Sequence, residues 1–195
     1  MREGTAINAK SSSILTTNGS SSGIRFGLFE VYYPPPQLLR GEIDRIGQMQ
    51  PCLHVIGSLT SDFPTSVEIS RSANAPDHAA AADVLINYIE ERSVQHTLAG
   101  VGHGSMHGGL KYCELQHITA EMLKELRGLG AFDPEHLPNK IRLIEVFSRR
   151  FLDVPRVACF AAALHHELPP VERLLPIPRR YEAQRLRHAP RSDHS

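Results

Sequence analysis

Residues 14–30, ILTTNGSSSGIRFGLFE, constrain the fold more than any other stretch of the chain. β-Branched and apolar residues run up to Asn18, and a small-residue segment follows, Gly19, Ser20, Ser21, Ser22 and Gly23. Ile24, Arg25 and Phe26 then open a second β-like run. The pattern predicts a strand, a tight Gly/Ser turn and a returning strand. No helical pattern follows directly and G-x-x-x-x-G-K-[ST] is absent, which excludes a P-loop. Such a turn can aim backbone N–H groups and hydroxyls at a phosphate. Asn18, at its lip, can hold a phosphate-bound Mg²⁺ directly or through water. The plainer alternative is a Ser-rich hairpin with no ligand.

The rest of the chain reads as an α/β domain. Met1 to Ser13 is polar and reads as a flexible leader. The hairpin runs to about Tyr33, and Pro34, Pro35 and Pro36 break regular structure after it. Cys52 to Ile56 and Ser66 to Ile69 read as strands, with Gly57, Ser58 and Pro64 in the turn region between them. Residues 76–92 predict a helix starting at Pro76, with Ala81, Leu85, Tyr88 and Ile89 on one face. Leu98 to His103 returns to strand. Thr119 caps a second helix through Leu126, and Pro138 opens a third with Ile141, Ile144, Phe147 and Phe151 inward. Arg156 to Phe160 reads as a buried strand. This order favours one mixed sheet with helices.

Charge and cysteine usage narrow the function. Lys plus Arg and Asp plus Glu both count 21, so no excess positive charge exists to release counterions, which argues against a nucleic-acid binder. The 3 cysteines, Cys52, Cys113 and Cys159, are widely spaced and form no C-x-x-C, so neither a disulfide framework nor a Cys-based zinc site is indicated. The longest apolar run, Val157 to Leu164, is too short to span a bilayer, and the N-terminus lacks a signal core. A soluble, cytoplasmic chain with no membrane partner is expected.

Two further segments carry chemistry-bearing residues. GVGHGSMHGG at 100–109 reads as a Gly-rich turn after a strand, where backbone can approach a ligand. Its His103 and His107 invite a metal reading, but their spacing joins ligands only on a helix, which the glycines oppose. A turn with structural or substrate-facing histidines is favoured over zinc. His165, His166 and Glu167 follow the strand at 156–160; one packed and one solvent-facing His is the default there. His136 precedes Pro138 at a helix start.

Taken together, these pieces resemble the acetate kinase family (acetate, propionate and butyrate kinases) of the actin/hexokinase/Hsp70-like, ribonuclease H-like superfamily. ILTTNGSSSGIRF resembles the opening hairpin N-[AG]-G-S-S-S-[IL]-K-[FY]. GEIDRIG at 41–47 and DHAAA at 77–81 look like family segments. GHGSMHGG at 102–109 resembles G-H-R-V-V-H-G-G. HLP at 136–138 and VPRVACFAAALHHELP at 154–169 resemble H-L-P and V-P-Q-V-A-x-F-D-T-A-F-H-x-x-M-P, and LLPIPRRYE at 174–182 continues the likeness. The resemblance implies Mg²⁺-dependent transfer of the ATP γ-phosphate to a short-chain carboxylate, giving an acyl phosphate. It implies Asn18 as the Mg²⁺-linked residue. Gly19, Ser21, Ser22 and Arg25 would contact nucleotide, and Met106, an acyl-pocket residue, would line the cleft with His103, His107, Gly108, Gly109 and His136.

The departures fall on the chemistry. The family's carboxylate-binding Arg is Gly104 and its catalytic Asp is Ala161, so no catalytic residue is intact. Ser20 stands where Gly is usual and Gly23 where Ser is usual; if position 20 requires positive φ, Ser costs about 1–2 kcal/mol there. The expected organisation is a leader at 1–13, an N-terminal α/β lobe at 14–155, the start of a second lobe at 156–182 and a divergent basic tail at 183–195, with the second lobe largely missing. The expected outcome is a truncated carboxylate-kinase relative, inactive alone and prone to self-association or homodimerisation. A non-catalytic nucleotide-binding or self-associating module is the alternative, and a His-metal protein a more remote one.

Overall fold

The computed structural model describes residues 11–57, 67–92, 96–109 and 111–160. Alternation of apolar and polar residues builds the first strands, because side chains in a strand point alternately to its two faces. In β1 (Ser11–Gly19) Ser13, Leu15, Thr17 and Gly19 are buried and the residues between them are not. β2 (Ile24–Glu30) returns antiparallel, with Asn18 opposite Arg25 and Leu15 opposite Leu28. The predicted hairpin is therefore present, but its first strand starts inside the expected leader.

β3 (Gln37–Asp44), β4 (Cys52–Gly57) and β5 (Val67–Ser72) extend the hairpin as an antiparallel meander. β3 escapes the sequence reading because Gly41 and the charged residues around it dilute its apolar pattern. Gly41 is structurally required: a Cβ there would run into the His54 carbonyl oxygen and lie 2.7 Å from Phe26 Cζ. α1 (His78–Arg92) then crosses to β6 (His96–Met106), which lies parallel to β1. After β7 (Gln116–His117), α2 (Ala120–Gly128) and α3 (Leu137–Arg150), β8 (Arg156–Phe160) runs parallel to β6. The sheet order is β5-β4-β3-β2-β1-β6-β8-β7. β8, expected to start a second lobe, belongs to this first sheet.

Two expectations about helix and turn placement are corrected. α1 begins at His78 rather than at Pro76, because Asp77 Oδ1 accepts the amide protons of Ala79 and Ala80 and closes the first turn. The strand expected at Leu98 to His103 is present but runs on through Met106, so residues 104–106 are strand rather than turn, since ladder bonding to β8 at Met106 offsets the low strand propensity there. Thr119 caps α2 as expected, its Oγ1 accepting from Met122 N at 3.1 Å.

The helices pack on one face of the sheet. Leu15, Ile24, Leu28 and Ile43 from the strands meet Leu85, Ile86 and Phe147 in one core. A second core gathers Met106, Leu126, Leu137, Ile144 and Phe160. The opposite face carries Thr16, Asn18, Arg25, Arg40 and Glu42, and among the described residues no helix covers it. Among the described residues, no helix is long and apolar enough to cross a membrane.

Candidate functional site

Three parallel strands, β1, β6 and β8, end side by side, and ligands of open α/β sheets bind outside such carboxyl ends. Thr17 pairs with His103 in the register, which sets Asn18 beside Gly104. A Cβ built on Gly104 would lie 3.8 Å from Asn18 Cβ. Both line a cleft of about 270 Å³ with Thr16, Arg25, Gly27 and Cys159. The position of the expected carboxylate-binding Arg is therefore an open space against Asn18.

Arg25 lies across the ladder from Asn18 with its side chain 82% exposed. Its Nε donates to Glu42 Oε2 at 3.2 Å, so part of its charge is already answered by a neighbouring strand. The turn between β1 and β2 is held from two sides. His78 Nε2 donates to the Ser20 carbonyl at 2.8 Å, and Ile46 N–H donates to the Ser22 carbonyl at 2.9 Å. Ser21 is exposed and Ser22 half-buried. Among the described non-glycine residues, positive φ occurs at Arg45 and Gln50, not at Ser20, so the altered Gly/Ser order costs no left-handed backbone strain.

Gly19 faces the helices, where Lys140 of α3 packs beneath it: a Cβ on Gly19 would lie 3.6 Å from Lys140 Cγ. Lys140 is 9% exposed, and its burial lowers the ammonium's pKa against the opposing pull of Asp133. A lysine stem thus underlies the hairpin tip.

The histidine and methionine expectations change. His103 is 2% exposed and faces the helices, not the cleft. Its Nδ1 meets Thr17 Oγ1 at 2.8 Å and its ring packs edge-on against Phe147. Burial and the Arg156 cation push its pKa from 6.5 to about 3, so it is a neutral core histidine. Met106 is fully buried in the second core rather than lining an acyl pocket, because a register shift between His103 and Met106 turns it inward. His107, Gly108 and Gly109 line a second cleft of about 570 Å³, with Tyr112, Leu129 and Phe132. At its rim Glu125 accepts bonds of 2.7 Å from both Lys111 and Tyr112. His136 is half-buried at the start of α3, and its Nδ1 has no partner among the described residues. The expected site residues therefore divide between two clefts and a core. Ala161, His165, His166, Glu167 and the basic tail lie outside the described residues.

Chemically, the hairpin cleft offers binding groups rather than a nucleophile. Burial raises the pKa of the Cys159 thiol and keeps it protonated. No carboxylate lines the cleft among the described residues. The Asn18 amide therefore fits a Mg²⁺ that arrives on a polyphosphate better than one caged by protein, since Mg²⁺ keeps waters and shares phosphate oxygens. Among the described residues no three His, Cys, Asp or Glu side chains gather as metal ligands. The sequence reading missed Lys140, which no local motif marks, and singled out no role for Glu42 or Cys159, which were visible only as parts of GEIDRIG and VPRVACFAAALHHELP. His78 was visible only as part of DHAAA.

A β-meander that continues into parallel strands, with helices on one face and a glycine-serine turn at the carboxyl edge, is an α/β lobe of the actin/hexokinase/Hsp70-like, ribonuclease H-like class. The structure is similar to that of *Porphyromonas gingivalis* acetate kinase, with a TM-score of 0.68 at 18% identity over 88% of this chain and 43% of that one. It is also similar to a *Francisella tularensis* propionate kinase, with a TM-score of 0.67 at 22% identity over 90% of this chain and 43% of that one. The chain belongs to the acetokinase family, whose model matches residues 13–188. It is 31% identical to the acetate kinase of *Rhodopseudomonas palustris* (strain ATCC BAA-98 / CGA009) over 177 residues, 89% of this chain and 43% of that protein. It is 33% identical to the acetate kinase of *Bacillus cytotoxicus* over 174 residues, 87% of this chain and 42% of that protein. The chain thus spans less than half the length of these relatives.

Proposed function

We propose that this chain is the phosphate-binding lobe of an ATP-dependent carboxylate kinase and that, alone, it binds nucleotide without forming acyl phosphate. The observation that carries the reading is Asn18 beside Gly104 at the carboxyl edge of parallel strands, one residue from the glycine-serine turn. Bound Mg²⁺ would supply charge neutralisation on the phosphates, with Asn18 as its protein contact. The amides of the turn and Arg25 would hold phosphate oxygens, as oriented backbone donors and guanidinium groups do. Phosphoryl transfer rests on positioning and electrostatic stabilisation. Gly104 removes a carboxylate-holding Arg and Ala161 removes an Asp; one missing donor costs roughly 10²–10³ in rate. The second substrate is a short-chain carboxylate, and the setting is the cytoplasm.

Titration with ATP, with and without Mg²⁺, and trapping of acyl phosphate with hydroxylamine test this. Binding that weakens in Asn18→Ala, with no trapped product, is expected. Turnover that Asn18→Ala abolishes sinks the proposed inactivity, and no nucleotide binding sinks the whole reading. Self-association is a second reading, favoured by Tyr32 and Tyr33, which are 72% and 90% exposed beside Val31. A monodisperse monomer in light scattering removes it.

A further inference from the structure

The tip of the hairpin makes a bond that its own turn does not require. In a closed four-residue turn the first carbonyl accepts the fourth residue's N–H. Across Ser20 to Gly23 the reverse bond forms, from Ser20 N–H to the Gly23 carbonyl at 2.8 Å. Ser20 Oγ donates to the same oxygen at 3.1 Å. Among the described residues no backbone bond joins Gly23 N–H to the Ser20 carbonyl. That carbonyl turns to α1 instead, where it accepts from His78 Nε2 at 2.8 Å. Since a carbonyl only accepts, Nε2 carries the proton.

His78 is held in place to do this. It is 5% exposed and is the first residue of α1, in the turn that Asp77 fixes through Ala79 N and Ala80 N. On the other flank, Ile46 N–H holds the Ser22 carbonyl. A trans peptide unit points its C=O and its N–H in opposite directions. Drawing the Ser20 carbonyl inward therefore turns the Ser21 N–H outward. Drawing the Ser22 carbonyl inward does the same to the Gly23 N–H. Two outward amides from one turn form an anion-binding concavity, and the carbonyls that would repel a phosphate are withdrawn from it.

We propose that His78 is a positioning residue of the phosphate turn: by taking the Ser20 carbonyl it keeps the turn open and aims the Ser21 and Gly23 amides at a phosphate. This rests on the phosphate-binding reading above. It does not require His78 to touch the ligand.

The test uses the full chain with His78→Leu, which removes the donor, and His78→Gln, whose Nε2 amide reaches the same carbonyl. Inorganic tripolyphosphate is titrated calorimetrically, and amide hydrogen exchange is read at Ser21 and Gly23. His78→Leu should weaken tripolyphosphate about tenfold and slow exchange at Gly23 as the turn closes on itself, while His78→Gln stays within about threefold of the parent. If His78→Leu does not fold, His78→Asn, too short to reach the carbonyl, replaces it. Parent-like binding and exchange in the folded donor-free variant overturn the inference, as does a His78→Gln variant that is as weak as His78→Leu. If the parent binds no tripolyphosphate, the phosphate reading falls. Exchange at Gly23, which needs no ligand, then still decides whether His78 sets the turn: slowed exchange in His78→Leu supports it and unchanged exchange overturns it.

Discussion

Acidification should destabilise this lobe through His103, by an amount that follows from the side chain's setting. The imidazole is 2% exposed, meets Thr17 Oγ1 through Nδ1, and packs on Phe147 with ring centroids 5.7 Å apart. Burial, and then the Arg156 cation, hold its pKa at about 3 instead of 6.5. The unfolded chain therefore takes up a proton over a range in which the folded chain does not. A depressed folded pKa gives stability that is complete above about pH 6.5 and is lost as pH falls toward about pH 3. At about pH 4.5 the gap is about 2 units, and at about 1.36 kcal/mol per unit the loss is about 3 kcal/mol. His103→Asn keeps a polar atom near Thr17 and does not titrate. Its void beside Phe147 costs about 1–3 kcal/mol at every pH and leaves the slope unaffected. Urea unfolding of both proteins from about pH 7.5 to about pH 4.5 should show the parent losing about 3 kcal/mol more than the variant. Carboxylates such as Asp77, whose pKa is lowered first by the Ala80 amide, are common to both and cancel. Equal slopes for parent and variant would refute the assignment of the proton to His103.

Other substitutions separate fold from chemistry. Gly104→Arg should change stability by less than about 1 kcal/mol, since its Cβ would meet Thr17 O at 3.5 Å, an ordinary contact; thermal melting checks this, and acetate titration should show new anion affinity. Gly108→Ala should cost about 2–4 kcal/mol in urea unfolding, because a Cβ there would run into the Tyr112 carbonyl oxygen and lie 2.7 Å from Phe160 Cδ1. Glu42→Gln should leave stability within about 0.5 kcal/mol, as exposed ion pairs contribute little, yet raise ATP affinity about two- to threefold by releasing Arg25; unchanged affinity would show that Arg25 does not face the phosphates.

What the sequence revealed tracks how local the determining interaction is. The hairpin was legible because alternation and turn chemistry both lie within 14–30, and α3 was legible because Ile141, Ile144 and Phe147 repeat at helical spacing. β3 was not, since its place depends on Gly41 letting Phe26 lie across it, a contact between strands. The strand at Leu98 to His103 was legible, but its continuation through Met106 was hidden for the same reason: the glycines there say turn, and only pairing with β8 says strand. At the site, Asn18 and Gly104 could be suspected as neighbours only through motif resemblance. The inward turn of Met106 follows from a register shift that no single-chain pattern encodes.

The glycines show which departures from the family pattern the fold can absorb. At Gly41 and Gly108 an added Cβ would strike a backbone carbonyl, so the fold itself excludes larger residues. At Gly104 the nearest atoms to an added Cβ are at ordinary contact distance, so an Arg would fit and its absence relieves nothing. Packing therefore does not explain why position 104 lacks its side chain. Ser20 tells the same story, since its backbone needs no left-handed conformation. The lobe keeps the residues that shape the turn, with His78 and Ile46 holding its carbonyls and Lys140 packed beneath Gly19. Under the proposed function, it departs where only the carboxylate substrate would register the loss. If, as the proposed function has it, catalysis no longer constrains position 104 while stability still constrains the scaffold, the chain should tolerate exchange at Gly104 and fail at Gly108. The two variants above measure that contrast in one protein.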